Sequence, residues 1–243
     1  MTSLQVSAVR DRAVRGARRT LRAASIPLIT AIQPLAGIIK LRISYAWSTP
    51  TAPEVIDNYT RGLVLFGRSD ARWVKFEWRT FPMRAVITKE TAKVPKSLHR
   101  IQRRGEMEVR FDQDFEAIIR GCQEGRTGWM WITPALIDVY REAYGLGLVS
   151  TVGTYRDGQL VGGLWGIGLG SAFGLMSMFH REDHAGSLAM AALVNALLRD
   201  DRWSVIDFGQ MTPNFARYGA REITTSEFCE LVRSRSRSKS LAG

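Results

Sequence analysis

Apolar residues recur at helical spacing over 94–104, where Val94, Leu98 and Ile101 form one stripe. Lys96, Arg100, Arg103 and Arg104 project from the other side of the same predicted helix. A second stripe, Phe115, Ile118, Ile119 and Cys122, predicts a helix over 112–122. A third helix starts at Thr133, a residue type that caps helix N-termini, with Pro134 at the first helical position. It continues through Leu136, Ile137, Tyr140 and Ala143 to Gly145. The Ala- and Leu-rich segment 184–198 reads as another helix. Elsewhere the period drops to two. Segments 72–78, 84–88 and 106–111 predict strands, the last with Met107, Val109 and Phe111 on one face. Segments 149–155 and 159–167 flank Asp157-Gly158, a hairpin turn signal, and 171–179 and 204–207 are apolar strands. A short helix near 214–218, a strand at 221–224 and a final helix complete a mixed helix–strand pattern without internal repeats.

Charge changes this picture more than length does. The 243-residue chain carries 34 Lys and Arg against 23 Asp and Glu, a formal charge of +11. That excess favours a polyanionic partner: nucleic acid or an anionic membrane surface. The basic face of 94–104 is a phosphate contact in waiting or a solvated helix face. Cys122 and Cys229 sit in apolar helical patterns and read as buried thiols of a reducing, cytoplasmic compartment. His180 and His184 flank Glu182 but lack a third ligand, so a polar loop is expected and no metal. At the N-terminus, Arg10, Arg12, Arg15, Arg18, Arg19 and Arg22 precede an apolar run, 23–39, that Pro27 and Pro34 interrupt. The run is too short to span a bilayer. It reads as an arm packed on the main domain or, alternatively, as a peripheral membrane contact through residues 1–40. The Arg-Ser repeat at 233–240 is low-complexity and expected to be disordered, closing the chain with a basic tail at 233–243.

The element order helix, helix, hairpin, strand, helix, strand resembles an acetyltransferase-like (GNAT-type) fold. The expected class is α+β: an arm at 1–50, a small β-rich unit with the basic helix at 51–111, and a GNAT-like domain at 112–232. The phosphate-cradling loop of the acetyl-CoA enzymes is absent before 184–198, and Gly166-Ile167-Gly168-Leu169-Gly170 reads as a hairpin corner. No acetyl-CoA and no other cofactor is expected. Further motifs carry a more specific resemblance. Tyr59-Thr60-Arg61-Gly62-Leu63 matches Y-x-x-G-[IL], and Trp78-Arg79-Thr80-Phe81-Pro82 resembles W-S-P-D-P. Segment 94–100 resembles V-S-R-S-L-R-K, and 115–122 resembles F-x-x-V-I-R-x-C. Trp131-Ile132-Thr133 matches W-I-T, 160–166 resembles L-V-G-G-L-Y-G, and Ser177-Met178-Phe179 resembles the end of G-E-S-M-F. Ile206-Asp207 and Gly219-Ala220 follow in order. Over 59–231 the chain thus resembles the leucyl/phenylalanyl-tRNA–protein transferases.

Departures from that pattern fall on polar positions. The glutamate of G-E-S-M-F falls on Met176, a second acid on Gly153, and the glutamine after I-D on Gly209, with Gln210 one residue late; a tryptophan of the adenosine cleft falls on Phe66. The resemblance implies transfer of an apolar amino acid of Leu, Phe or Met type from aminoacyl-tRNA to the N-terminal amine of an acceptor protein. It implies catalytic roles for Asp207 and Gln210, an aminoacyl and adenosine pocket of Phe66, Trp131, Tyr140, Met176, Met178 and Phe179, and tRNA contacts at Lys96, Arg100, Arg103 and Arg104. Taken alone, Asp207 fits a strand-end acid capping a turn, and each aromatic fits core packing equally well. Met176 and Met178, alternating along a strand, are expected on one face. The lost acids leave two alternatives: acylation of a small-molecule or lipid amine, and an inactive tRNA-binding homologue.

Overall fold

In chain order the elements are β1 (Arg42–Ala46), α1 (Ala52–Thr60), β2 (Leu63–Gly67), β3 (Phe76–Thr80), β4 (Met83–Thr88), α2 (Lys96–Arg104) and β5 (Glu108–Phe111). Then come α3 (Phe115–Gln123), α4 (Pro134–Gly145), β6 (Val149–Arg156), β7 (Gln159–Leu169), β8 (Ala172–His180) and α5 (Ala185–Leu198). β9 (Val205–Asp207), α6 (Pro213–Ala216), β10 (Arg221–Thr224) and α7 (Thr225–Ser240) close the order. The computed structural model describes residues 42–46, 48–69, 75–124, 130–170, 172–199 and 203–240. The N-terminal arm through residue 41 and the start of the strand expected at 72–78 lie outside the described residues.

Two sheets form, a small β1-β3-β2 sheet and a seven-stranded sheet ordered β10-β4-β9-β8-β7-β6-β5. Asp157-Gly158 makes the predicted turn, and β6 and β7 pair antiparallel across it. The neighbours β8 and β9 are parallel, which requires a crossover, and α5 supplies it. The hairpin, β8, α5 and β9 follow in the order read from the sequence. β4 and β5, from the stretch 51–111, pair in the large sheet with β9 and β6.

Apolar residues cover both faces of the large sheet. One face packs Val55 and Tyr59 of α1, Ile118 and Ile119 of α3 and Leu136 and Tyr140 of α4 around Trp165. The other packs Met190, Leu193 and Leu197 of α5 against Leu164, Phe173 and Ile206. Leu98 fixes α2 to this second core, with Val94 and Ile101 beside it, as the stripe predicted. α3 starts three residues later than periodicity indicated, because Asp112 and Asp114 adopt positive φ of 53° and 51° and break the helical path. α7 continues as helix through the Arg-Ser repeat, where composition had indicated disorder.

Strand β8 carries the irregularity that shapes the molecule. Its register with β7 moves from Gly166↔Leu175 to Trp165↔Ser177, so Met176 is an extra, unpaired residue. Such a bulge re-aims side chains. Met176 turns to the core around Trp165 and Met178 to the core around α5, which corrects the expectation that they share a face.

Candidate active site

β8 and β9 pair only from Ala172↔Val205 to Gly174↔Asp207. Beyond Gly174 the strands part, because the chain after Asp207 leaves to hydrogen-bond β4: Phe208 N–H donates to Ala85 O at 2.8 Å and Ala85 N–H to Gly209 O at 2.6 Å. The opened edge of β8 faces the 208–215 segment across a cleft of 330 Å³. Leu175, Met176, Ser177 and Met178 line one side, and Phe208, Gly209, Gln210, Thr212 and Phe215 the other. Val64 and Phe66 of the small sheet, Phe81 between β3 and β4 and Trp131 before α4 close it, and Tyr59 and Arg84 complete the lining.

The aromatic wall is fixed in place. Phe66 meets Trp131 edge-on at 5.1 Å between centroids and Phe81 at 6.4 Å. Gly67 N–H donates to Trp131 O at 2.9 Å, which ties the tryptophan to β2. These faces suit a planar base or an apolar side chain.

Behind the cleft lies a buried ion pair. Arg84 Nη1 donates to Asp207 Oδ2 at 2.9 Å, and each side chain is 1% exposed. Tyr59 Oη donates to the same oxygen at 2.5 Å, and Gly209 N–H donates to Oδ1 at 2.7 Å. Arg84 Nη2 donates to Gly62 O at 2.8 Å, while Nε has no partner. The guanidinium lies 5.4 Å from the Tyr59 ring centroid and 5.0 Å from that of Phe228. Burial, then the facing Asp207 charge, pushes the Tyr59 phenol well above its ordinary range, so it stays a donor. Burial pulls the Arg84 guanidinium down, but Asp207 and Tyr59 outweigh it and hold the group charged. Gly174 makes this packing fit: a Cβ there would sit 2.1 Å from Tyr59 Oη.

The sequence-derived site residues divide on this geometry. Phe66, Trp131, Met176, Met178 and Gln210 line the cleft together. Asp207 does not line it, whereas Tyr59 and Arg84, which donate to its carboxylate, do. Tyr140 is fully buried 4.7 Å from Trp165 in the core and does not line the cleft. Phe179 packs over Gly121 on α3, also away from the lining. Lys96, Arg100, Arg103 and Arg104 are exposed on α2 and have no acidic partner among the described residues. Sequence reading passed over Arg84, although a charge inside the apolar strand R-A-V-I-T signals a buried partner. Phe81, Phe208 and Phe215 carried no comparable signal. Among the described residues no cluster of three or more His, Cys, Asp or Glu could hold a metal.

The family model described as leucyl/phenylalanyl-tRNA protein transferase matches residues 86–233. The chain belongs to this family. Its relatives include the leucyl/phenylalanyl-tRNA–protein transferase of Chlorobium phaeobacteroides, 36% identical over 177 residues, 72% of this chain and 90% of that protein. The protein of the same name from Burkholderia cenocepacia is 36% identical over 211 residues, 84% of this chain and 81% of that one. Members of the family are, by name, transferases between leucyl/phenylalanyl-tRNA and protein. Among solved structures, L-PGS from Bacillus licheniformis superposes with a TM-score of 0.43 at 8% identity, covering 59% of this chain and 58% of that one. A GCN5-related N-acetyltransferase from Kribbella flavida gives 0.38 at 12% identity, covering 59% and 55%. No helix among the described residues is long and apolar enough to cross a membrane.

Proposed function

We propose that the cleft holds the charged 3′ end of an aminoacyl-tRNA and passes its apolar amino acid to the N-terminal amine of an acceptor protein. The observation that carries this reading is an apolar, aromatic-walled cleft backed by a fixed Arg84–Asp207 ion pair, at the splay of β8 and β9 in a chain of this family. Phe66 and Trp131 give the terminal adenine its stacking faces, and Met176 and Met178 take the amino-acid side chain. The exposed basic residues of α2, Lys96, Arg100, Arg103 and Arg104, contact phosphates. Charged tRNA as donor places the reaction in the cytoplasm.

The chemistry asks little of a base. The acceptor nitrogen attacks the ester carbonyl, a C–N bond forms and the ester C–O bond breaks. The amine gives up its proton and the tRNA hydroxyl leaves protonated. An α-amine with a pKa near 8 is roughly 10–20% neutral at pH 7. Alignment of ester and amine then supplies most of the acceleration, together with donors facing the developing oxyanion. Gln210, exposed at the mouth, contacts the incoming amine. Asp207 is a positioning residue that fixes Arg84 and Tyr59, not a free proton acceptor, since its carboxylate already accepts three hydrogen bonds.

The test incubates the purified chain with a pool of charged tRNAs and a peptide bearing a free N-terminus, and identifies products by mass. The expected product is the peptide extended by one apolar residue. A chain that binds charged tRNA with strong salt dependence yet forms no amide would instead be a binding homologue.

A further inference from the structure

Two stretches of the chain are free of acid, and they touch. Residues 91–105 hold no Asp or Glu, and Lys93, Lys96, Arg100, Arg103 and Arg104 fall within them. Residues 208–221 hold none either, and Arg217 and Arg221 fall there. Lys93 N–H donates to Tyr218 O at 3.0 Å. Gly219 lets the two backbones meet, since a Cβ there would sit 1.9 Å from Thr91 O. Val94 and Ile101 of the first stretch and Phe215 and Tyr218 of the second pack into the same core beside α5.

The second stretch is also a wall of the cleft, through Gln210, Thr212 and Phe215. Arg217 follows Phe215 by two residues, and Lys93 precedes the first residue of α2 by three. Both side chains are exposed, and neither has an acidic partner among the described residues. The two stretches therefore link the rim of the cleft, by way of Arg217 and Lys93, to the basic face of α2. The facing wall, residues 175–178, carries no charge.

A polyanion whose last base stacks in the cleft has to leave it, and this wall is the one that leads to α2. The last nucleotides of a tRNA are unpaired, so their phosphates are open to side chains. Cations at the rim that no acid neutralises attract them and release their counterions.

We propose that Arg217 and Lys93 hold the phosphodiesters of the unpaired 3′ nucleotides next to the terminal adenosine, and that α2 meets phosphates further along the tRNA. The proposal rests on the aminoacyltransferase reading above and adds the site that leads the donor into the cleft.

Three donors test it with the full chain and one peptide acceptor, each kept below saturation. Leucyl- or phenylalanyl-adenosine has no phosphate, the same ester on a cytidyl-cytidyl-adenosine trinucleotide adds the 3′ phosphodiesters, and charged tRNA adds the rest. With the native chain, kcat/KM for the trinucleotide falls about sevenfold more than for the adenosine donor between about 50 and 200 mM salt, as two single-strand phosphate contacts require. In the double variant Arg217→Gln with Lys93→Gln that extra fall disappears, and the loss is confined to donors that carry phosphate. Equal salt dependence of the two short donors with the native chain overturns the proposal and leaves the transferase reading standing. So does a double variant that keeps the extra fall, or one that slows the adenosine donor as much as the trinucleotide. A native chain that uses tRNA but not the trinucleotide overturns it too, because the phosphates it needs then lie beyond the 3′ end. Amide formation from none of the donors overturns the transferase reading itself, and the proposal with it.

Discussion

Asp207→Asn keeps the shape of the side chain and removes its charge. In the native chain Asp207 and Arg84 are each 1% exposed, and the carboxylate accepts from Arg84 Nη1, Tyr59 Oη and Gly209 N–H. The amide leaves a guanidinium buried without its counter-charge, and breaking a buried pair from one side costs about 3–5 kcal/mol. Domains are stable by about 5–15 kcal/mol, so the variant loses roughly 30–50% of a mid-range total of about 10 kcal/mol. Replacing both partners by apolar residues, Arg84→Met with Asp207→Leu, removes the stranded charge. It returns stability to within about 1–2 kcal/mol of the native chain. Urea unfolding followed by tryptophan fluorescence measures both, and transfer from charged tRNA to peptide is measured alongside. The double variant regains stability while its transfer rate stays below native, because Tyr59 loses the carboxylate that fixes it beside the cleft. An Asp207→Asn chain within 1 kcal/mol of native would refute the energetic argument. A double variant that transfers at the native rate would refute the positioning role.

Other consequences are open to direct measurement. Gly174→Ala drives a methyl group to 2.1 Å from Tyr59 Oη and 2.4 Å from its ring carbon, so Tyr59 leaves Asp207. The expected loss is about 1–3 kcal/mol in urea unfolding, and native stability would contradict the packing. Removing Lys96 and Arg100 together lowers the salt slope of tRNA binding by about 1–2, with amino-acid preference unchanged; an altered preference would speak against phosphate contacts. Trp131→Ala weakens charged-tRNA binding by about 1–3 kcal/mol if it stacks on a base, whereas a core role lowers the unfolding midpoint and leaves affinity alone. Stability falls as pH rises above about 10, because unfolded phenols ionise there while burial holds Tyr59 and Tyr140 protonated in the fold. A urea midpoint that stays flat from pH 9 to 11 would contradict that burial.

Local chemistry was legible where short-range rules decide the outcome. The Thr133-Pro134 start, the Asp157-Gly158 turn and the stripe that fixes α2 form as their residue types require. α1 was passed over, although Thr51 and Glu54 form a capping box readable as T-x-x-E. What the sequence concealed is long-range. Arg84 lies 123 residues from Asp207, and Tyr59 lies 148 residues from it, so no local pattern announces the pair. The bulge at Met176 depends on how β7 meets β8, and alternation alone put Met176 and Met178 on one side. Tyr140 and Phe179 share motifs with cleft residues, but helix packing draws both into other surroundings. Asp207 was visible as a candidate through the Ile206-Asp207 match, while its saturation by three donors emerged only with the fold.

The central claim is that the cleft sets an aminoacyl ester beside an amine. A single-turnover reaction with radiolabelled phenylalanyl- or leucyl-tRNA, excess purified chain and a peptide acceptor tests it most directly. The account predicts label appearing in the peptide amide at the rate at which tRNA is freed. Label released only as free amino acid, or tRNA that remains charged throughout, would contradict it.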